Sequence, residues 1–416
     1  MSPVNLVIIG AGSRGTRYAS YAIQHPDRAR VVGVAEPRKY YRENLANVHN
    51  IPRQYIKEDW RQLADLPKFA DAVVIATPDA IHSEPAISFS GMGYHILLEK
   101  PMAPTEAECH AIVDAVKKAG VLFSVCHVLL YTPYTRKLEH LLDDGVIGDI
   151  VSIQRLEPIG YWHHAHSYVR GNWRDSTKTA PMLLTKACHD LDWIRHIMGV
   201  PCKSISSFGS LSHFHKDMAP LKAGERCLDC DYEPECPYSA LKIYLGRVRL
   251  GETGWPVNIL TPNPDETNVL QALKYGPYGR CVYHCDNNVV DQQVVNMLFL
   301  DGQTASFTMT GFTKADYRQT RIFGTRGEII GNGSQIRVFD FLSDNTKIVE
   351  PEVPKNNSLS GHGGGDYGLM DNFVAAVAEN NPQRILSGPQ ETLESHLMVF
   401  AAERARLENR VVDLGV

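Results

Sequence analysis

Lys186 and His189 lie three positions apart in the segment LLTKACHDLDWI, which is otherwise largely apolar. At helical spacing they form a polar stripe with Trp193 and His196, beside an apolar stripe that predicts a core-facing surface. An imidazole suits proton transfer near neutral pH, and a lysine binds carboxylates or sugar hydroxyls. The alternative is a solvated helix face, because lysine and histidine on helices usually contact water.

A second lysine stands where an apolar run ends. Lys100 follows HILL and Glu99, and it precedes Pro101. Side chains at the carboxyl ends of parallel strands line the crevice in which open α/β sheets bind ligands. The long apolar lead-in therefore favours a functional lysine over a surface lysine. The preceding predicted strand ends at the same edge, in ATPDAIH.

The stretch GAGSRG, residues 10–15, fits the pattern G-x-G-x-x-G and directly follows an apolar run. In that pattern the glycines allow a tight turn, a close approach of pyrophosphate and the packing of helix on strand. Glu36 ends the next predicted strand, where a carboxylate accepts hydrogen bonds from ribose hydroxyls and repels a 2′-phosphate. This favours NAD over NADP, although Arg38 and Lys39 partly oppose that preference. The alternative is a glycine turn that binds nothing.

A parallel sheet is needed to bring these residues together. Within residues 1–128, five near-continuously apolar runs alternate with helical patterns, which is typical of parallel strands buried on both faces. The runs are VNLVIIG, RVVGVAE, ADAVVIATP, YHILLEK and VLFSVCHV. We therefore expect a doubly wound Rossmann domain over these residues.

Residues 129–416 have a different pattern. Runs such as DIVSIQRLEPIG, VVNMLFLDG and TASFTMTGF alternate polar and apolar residues, as strands of an antiparallel sheet with one solvated face do. Two helical segments close the chain, and the stretch 256–279, rich in Pro, Asn and Gly, predicts a long irregular connection. We expect an α+β domain with a mostly antiparallel sheet.

The composition narrows the class of protein. The 416 residues carry a net charge of -5, which gives no electrostatic case for binding nucleic acid or an acidic membrane surface. No apolar run approaches the roughly 18 residues of a membrane span. No basic leader precedes the first apolar run, and nine cysteines in a chain of this length do not indicate a secreted disulfide scaffold. We expect a cytoplasmic protein without nucleic-acid or membrane partners.

GAGSRG, ATPDAIH and EKP, in this order and spacing, resemble the Gfo/Idh/MocA oxidoreductases, and the resemblance covers essentially the whole chain. It implies an NAD-dependent dehydrogenase in which the lysine of EKP, Lys100, lies beside the nicotinamide and the substrate hydroxyl. It also implies that His189 completes the catalytic pair, and that a homodimer or homotetramer forms through the sheet of the second domain. The implied cofactor-binding residues are Gly10, Gly12, Ser13, Arg14, Gly15, Glu36, Arg38, Thr77, Pro78, His82, Glu99 and Lys100.

The sequence departs from the family pattern at one point. Many members carry an aspartate four residues before the histidine, where this chain has Thr185 followed by Lys186. A lysine there would lower the pKa of His189 by like-charge repulsion and favour the neutral imidazole, which is the form that accepts a proton. Lys186 is therefore a third candidate catalytic residue, or an anchor for a carboxylate or a sugar hydroxyl.

Other residues are candidates for substrate contact. Aromatic, histidine and arginine side chains gathered in one stretch suit stacking on a sugar ring and hydrogen bonding to it. The candidates are His127, Tyr131, Trp162, His166, Arg170, Trp173, Lys186 and His189, with His362 or Asp366 of GHGGGDYG at the rim of the cleft. The alternative for residues 160–175 is a packed, partly exposed hairpin.

Two groups of cysteines are candidates for metal binding, separate from the catalytic site. Cys227, Cys230 and Cys236 begin as a zinc knuckle does, and Cys281, His284 and Cys285 offer remote ligands. A structural zinc is one interpretation. The other is a set of reduced cysteines that stabilise a surface excursion, because the spacing misses the established four-ligand templates.

The expected activity is hydride transfer between NAD and a secondary hydroxyl of a sugar, glycoside or polyol. His189 takes the hydroxyl proton and Lys100 stabilises the oxyanion, although these two roles are interchangeable at this stage. The alternative is redox-neutral glycoside cleavage through a transient 3-keto sugar. A third interpretation, a non-catalytic dinucleotide sensor, is disfavoured by the presence of both Lys100 and His189.

Overall fold

The computed structural model describes residues 2–352 and 361–415. Its first layer is a six-stranded, all-parallel sheet in the order β3-β2-β1-β4-β5-β6. The strands are β1 Val4–Ile9, β2 Ala29–Ala35, β3 Ile56–Lys57, β4 Ala72–Ile75, β5 His95–Leu98 and β6 Phe123–Val125. The helices are α1 Ser13–Gln24, α2 Lys39–Val48, α3 Arg61–Ala64, α4 Ser83–Gly91 and α5 Glu106–Ala119. The Rossmann sheet is confirmed; β3 was not predicted, because two residues are too few to give an apolar run.

The glycine turn between β1 and α1 is shaped by backbone contacts. Gly10 has φ of +89°, and a Cβ there would lie 2.5 Å from the carbonyl oxygen of Ala76. A Cβ on Gly15 would lie 1.9 Å from the carbonyl oxygen of Gly10. The first and third glycines of the motif are therefore required by the turn and by the packing of α1 on β1.

The second sheet has nine strands in the order β14-β13-β12-β11-β7-β10-β9-β8-β15. Only β7 and β10 pair in parallel, so the prediction of a mostly antiparallel sheet is confirmed. The strands are β7 Ile150–Pro158, β8 Cys202–Ser210, β9 Gln292–Phe299, β10 Thr304–Thr310, β11 Gln319–Gly324, β12 Gly327–Gly331, β13 Ile336–Asp340, β14 Asn345–Val349 and β15 Val412–Asp413. The helices of this half are α6 Pro133–Asp143, α7 Tyr161–His164, α8 Met182–Met198, α9 Gly246–Arg249, α10 Glu266–Tyr275, α11 Gly365–Glu379 and α12 Pro389–Glu408.

One face of this sheet is covered by helices and the other faces solvent. Helix α8 packs on β7 and β10, and α12 packs on α8 and β8. Along the outer face, Ser152, Ser204, Asn296 and Thr304 line a shallow depression. This division explains the alternation of polar and apolar residues in the strands.

The segment between β8 and β9, residues 211–291, leaves the sheet and forms an excursion with its own small core. Its core includes Phe214, Tyr244, Val257 and Leu273. The prediction that 256–279 is irregular was wrong, because α10 lies within it. The N-cap of α10 is Asp265, whose side chain accepts a hydrogen bond from Asn268 N. The buried Val269 and Leu273 of α10 pack into the core of the excursion.

Helix α8 is buried on nearly all sides. Its polar residues His189, Asp190 and Asp192 are buried together with Trp193, whose indole nitrogen donates to Thr135 Oγ1 at 3.0 Å. The interpretation of this helix as a solvated face is therefore wrong. The helix lies between the nine-stranded sheet and the Rossmann half, which it contacts through the carbonyl of Thr185.

Within the described residues, every helix is too short or too polar to cross a membrane.

Substitution of Gly15 by alanine should destabilise the fold. The added methyl group would press on the carbonyl of Gly10, and overpacking of this kind typically costs about 1–3 kcal/mol. Gly91→Ala is the matched control, because no atom lies within 4 Å of a Cβ at that helical position. Thermal unfolding should show a lower Tm for Gly15→Ala alone. Equal Tm values for the two variants would contradict the packing argument.

Candidate active site

The imidazole of His189 lies at the centre of the site. Its side chain is buried, at 3% exposure, and its Nδ1 has no hydrogen-bond partner among the described residues. The ring centroid of His127 lies 5.6 Å away and that of His362 6.1 Å away. His189 is thus enclosed, and its Nδ1 is buried without a protein partner among the described residues.

Burial lowers the pKa of His189 well below its usual value, and repulsion from Lys100, His127, His362 and Arg318 adds to this effect. The imidazole is therefore neutral at pH 7. We expected repulsion from Lys186 to be the cause, but Lys100 is the principal cation acting on His189. The difference arises because Lys186 is engaged with a carboxylate.

Lys100 connects the two halves of the protein at this site. Its Nζ donates to the carbonyl oxygen of Thr185 at 2.6 Å, which places the ammonium group one turn before His189 on α8. Its backbone N–H donates to Glu99 Oε2 at 2.8 Å. Lys100 follows a strand of the parallel sheet, and His189 lies on a helix that packs on the nine-stranded sheet. The fold thus brings together two residues that are far apart in sequence.

Lys186 belongs to a network of charges that the sequence did not reveal. Its Nζ lies 2.9 Å from Glu157 Oε1, and Arg318 Nε lies 2.5 Å from Glu157 Oε2. Arg318 also donates to Asp190 through Nε and Nη2, both at 3.1 Å. The sequence offered one signal of this network: a carboxylate, Glu157, near the end of a predicted strand.

Three of the predicted cofactor residues line a cleft of about 730 Å³ next to the glycine turn, a volume within the range of ligand pockets. Gly12, Ser13 and Arg38 contribute from the Rossmann half, and Asn258 and Tyr278 contribute from the excursion. The N-terminus of α1 at this cleft suits a pyrophosphate, whereas Thr77, Glu99 and Lys100 lie outside the lining of the cleft.

Glu36 is held in place by backbone and side-chain donors. Its Oε2 accepts from Ala11 N at 2.8 Å, and its Oε1 accepts from Arg38 N at 3.0 Å and from Arg38 Nε at 2.7 Å. Burial would raise the pKa of Glu36, but the hydrogen bonds from Arg38 outweigh it and the pKa is lowered. The carboxylate is therefore ionised, and half of the Arg38 side chain stays exposed beside it.

Three other predicted cofactor residues shape the strand ends. His82 is buried, with Nδ1 2.9 Å from the carbonyl oxygen of Pro101 and Nε2 3.0 Å from that of Thr77. It thus ties the segment after β4 to the EKP segment. Thr77 and Pro78 are more exposed at this edge.

Arg14 bridges the two halves of the chain. Its guanidinium contacts Glu99 on one side and Asp366 Oδ1, at 2.7 Å, on the other. We expected His362 or Asp366 at the rim of the cleft; Asp366 is buried and lies 3.3 Å from His362 Nδ1, so it supports the turn that carries His362. Arg14 was predicted to bind cofactor, and the structure shows that it also holds this interface.

His127 and Tyr131 are buried behind the site. Tyr131 accepts from Leu386 N at 2.8 Å, which gives it a structural partner. His127 Nε2 lies 3.7 Å from Asp192 Oδ1, and both of its ring nitrogens lack a hydrogen-bond partner among the described residues. Burial raises the pKa of Asp192 to about 7. His127 lies against the His189 ring, and contact of His127 and Tyr131 with substrate remains a prediction.

The stretch 160–175 is helical and mostly buried, so the hairpin alternative was wrong. His166 Nδ1 lies 2.8 Å from the Tyr244 hydroxyl, and Arg170 donates to the carbonyl oxygens of Arg280 and Tyr238. Both side chains pack into the excursion, which differs from the predicted substrate contact. Trp162 lies under the Arg247 guanidinium, and Trp173 is partly exposed.

Cys227, Cys230, Cys236 and Cys281 line one small cavity beside Arg170. Within residues 2–352 and 361–415, no three His, Cys, Asp or Glu side chains are placed to hold a metal ion. Burial raises the pKa of the Cys236 thiol, and that of Cys281 to about 11. The structural zinc prediction is therefore not supported, and the nine cysteines, all among the described residues, form no disulfide.

The chain matches two models of one protein family. The Gfo/Idh/MocA model described as "Oxidoreductase family, NAD-binding Rossmann fold" matches residues 4–127. The model described as "Oxidoreductase family, C-terminal alpha/beta domain" matches residues 139–414. The chain therefore belongs to the Gfo/Idh/MocA oxidoreductase family.

Similar proteins include enzymes of sugar metabolism. The 2,7-anhydro-N-acetylneuraminate hydratase of Escherichia coli is 28% identical over 50% of this chain and 54% of its own length. Levoglucosan dehydrogenase of Pseudarthrobacter phenanthrenivorans is 31% identical over 34% of this chain and 36% of its own. The chain thus spans about half, or less, of the length of these relatives. A solved levoglucosan dehydrogenase with NADH and levoglucosan is 20% identical, with a TM-score of 0.72 and full coverage of both chains.

Replacement of Asp192 by asparagine should change how stability depends on pH. The pKa of Asp192 in the folded state, about 7, lies well above the ordinary value for an aspartate. The folded state therefore binds the proton more tightly, and this stabilising contribution is lost as pH rises from about 4 to about 7. Relative to the wild type, Asp192→Asn should gain unfolding free energy across that interval. Denaturant titrations at several pH values test this, with the exposed Asp301→Asn as control; parallel pH curves would contradict it.

Proposed function

We propose that this family member transfers a hydride between NAD and a secondary hydroxyl of a sugar, glycoside or polyol. One observation carries the proposal: the Lys100 ammonium group reaches the backbone of α8 one turn before the buried, neutral His189. A cation and a proton acceptor are thus placed together at the edge of the cofactor domain. This pair can polarise one hydroxyl and remove its proton.

The two residues have complementary roles. Neutral His189 accepts the proton of the substrate hydroxyl, while the Lys100 ammonium group stabilises the negative charge that develops on its oxygen. Bound NAD supplies the hydride acceptor, and the carbinol becomes a carbonyl. The low exposure of His189 excludes water, which strengthens both interactions.

The second candidate is a redox-neutral reaction, in which the sugar is oxidised only transiently. The excursion favours it, because Asn258 and Tyr278 wall the cofactor cleft opposite the glycine turn. Side chains on both sides of the cleft would add contacts to a bound cofactor, and retention of the cofactor between half-reactions is what a redox-neutral cycle needs. The hydratase among the relatives is consistent with this candidate.

We also propose that the chain forms a homodimer or homotetramer through the outer face of the nine-stranded sheet. That face is polar along its centre and exposes Phe208 and Leu298. Association through this face would remove the apolar surface of Phe208 and Leu298 from water.

The experiment that decides between the candidates uses purified protein, NAD and a panel of sugars, glycosides and polyols. Absorbance of NADH and the identity of the products are followed together. Net NADH formation supports the dehydrogenase. Cleavage or exchange without net NADH supports the redox-neutral reaction. Tight cofactor binding with neither result would contradict both.

Cofactor choice should follow Glu36. The ionised carboxylate repels a 2′-phosphate, so NAD(H) should bind more tightly than NADP(H). Glu36→Ser should narrow the difference, because it also frees the Arg38 guanidinium to bind phosphate. Lys118→Met, at an exposed lysine in the last turn of α5, should leave the preference unchanged. Calorimetry measures both affinities, and tighter binding of NADP(H) to the wild type would refute this assignment.

Removal of the His189 imidazole should abolish most turnover while leaving the affinity for NAD unchanged. Loss of a general base typically costs about 100- to 10,000-fold, and the cofactor cleft lies on the Rossmann side. His196→Ala is the matched control, since His196 lies on the same helix but pairs with Glu139. Steady-state kinetics and calorimetry give the two readouts. Near-normal turnover in His189→Ala, with turnover abolished in Lys186→Met, would show that Lys186 is the base.

A further inference from the structure

The charges around His189 do not balance. Four cations lie in this region, and only two carboxylates form ion pairs with any of them; a third carboxyl group, Asp192, lies behind His127, and burial raises its pKa to about 7. The cations are Lys100, Arg155, Lys186 and Arg318, and the carboxylates are Glu157 and Asp190. The neighbouring histidines do not change this count. Burial lowers the pKa of His163 and that of His362, so both imidazoles are neutral at pH 7.

The charges on the cofactor side do not correct this excess. Arg14 and Arg17 face Glu99 and Asp366, so that group is balanced by itself. The nicotinamide ring of NAD carries a further positive charge. The site in which the substrate would react is therefore electropositive, and it is largely shielded from water. A buried excess of one sign is costly unless a ligand brings the opposite sign.

Two of the cations are able to reach a ligand. Arg155 is committed: it donates to Asp190 and Thr320, and its guanidinium lies 4.0 Å from the Trp193 ring centroid. Lys186 and Arg318 keep 14% and 17% of their side chains exposed. Among the described residues, Arg318 Nη1 makes no hydrogen bond to a side chain or backbone, and Lys186 Nζ has a single close carboxylate oxygen.

The position of these cations matches a substrate with two functional ends. Lys186 and His189 are three residues apart on α8, so their side chains lie on the same side of the helix. A group bound by Lys186 would thus place the rest of a sugar ring near His189 and Lys100. Glu157, which contacts both Lys186 and Arg318, fixes their orientation without neutralising both.

We propose that the substrate is an acidic sugar, whose carboxylate binds to Lys186 and Arg318 while a ring hydroxyl lies between Lys100 and His189. This inference rests on the proposed function, because it concerns the same site. A carboxylate is planar and accepts hydrogen bonds from two donors, which suits an ammonium group beside a guanidinium. A neutral sugar would leave the excess positive charge uncompensated.

The test measures binding, so that it does not depend on turnover. The protein loaded with NADH is titrated with D-glucuronate, D-galacturonate, their methyl esters, D-glucose and D-galactose. Cofactor fluorescence and calorimetry report the affinities. At least one uronate should bind about 10- to 100-fold more tightly than its methyl ester, as charge-assisted hydrogen bonds imply. The preference should shrink as salt is added.

Two variants and a control locate the carboxylate. Lys186→Met should reduce the preference for uronate over ester to within about threefold. Glu157→Gln should increase it, because it removes a competing carboxylate. Lys178→Met, at an exposed lysine paired with Asp175, should leave it unchanged. The comparison of uronate with ester on the wild type holds even if a variant fails to fold.

Equal binding of each uronate and its ester to the wild-type protein would overturn the inference while leaving the proposed hydride transfer intact. Tight uronate binding without oxidation of any sugar would support the acidic substrate and count against the proposed function. Uronate binding that Lys186→Met does not weaken would refute the assigned residues.

Discussion

The burial of helix α8 is the constraint on which the site depends. Because the helix lies between a sheet and the Rossmann half, its polar residues are largely withdrawn from water, and a buried charge there needs a protein partner. This forces Asp190 into ion pairs with Arg155 and Arg318, and it keeps His189 neutral. The chemistry proposed for the site is thus a consequence of packing: the same residues on an exposed helix would titrate normally and pair with water.

The division of labour between the two lysines follows from the same packing. Lys100 enters from a strand end and contacts only a backbone carbonyl, so its charge acts on His189. Lys186 is on the helix itself and lies within reach of Glu157, so its charge is directed toward the far side of the pocket. One cation is therefore placed to stabilise a reacting oxygen, and the other to hold a part of the substrate that does not react.

The sequence predicted the elements whose signals are local. The glycine turn, the five longer parallel strands, the antiparallel sheet and the pair of Lys100 and His189 all depend on short spacings or on the family motifs. Glu157 and Arg318 were missed because their roles come from strand register, which sets β7 beside β11 and appears in no local pattern. The roles of His166 and Arg170 were misjudged for a similar reason: an aromatic, basic composition suits a sugar site and a buried subdomain core equally well. The cysteine spacing was ambiguous until burial showed thiols bonded to backbone groups.

Arg14 shows how a motif position can mislead an interpretation of mutants. It occupies a variable position of the glycine motif, where a substitution would ordinarily be ascribed to the cofactor. Yet its guanidinium joins Glu99, next to Lys100, to Asp366, below the turn of His362. A defect at residue 14 would therefore spread to both walls of the substrate pocket, and the kinetic symptoms would resemble those of a substrate-site lesion. Although the cofactor site and the substrate site belong to different domains, the Arg14 side chain contacts residues that border both of them.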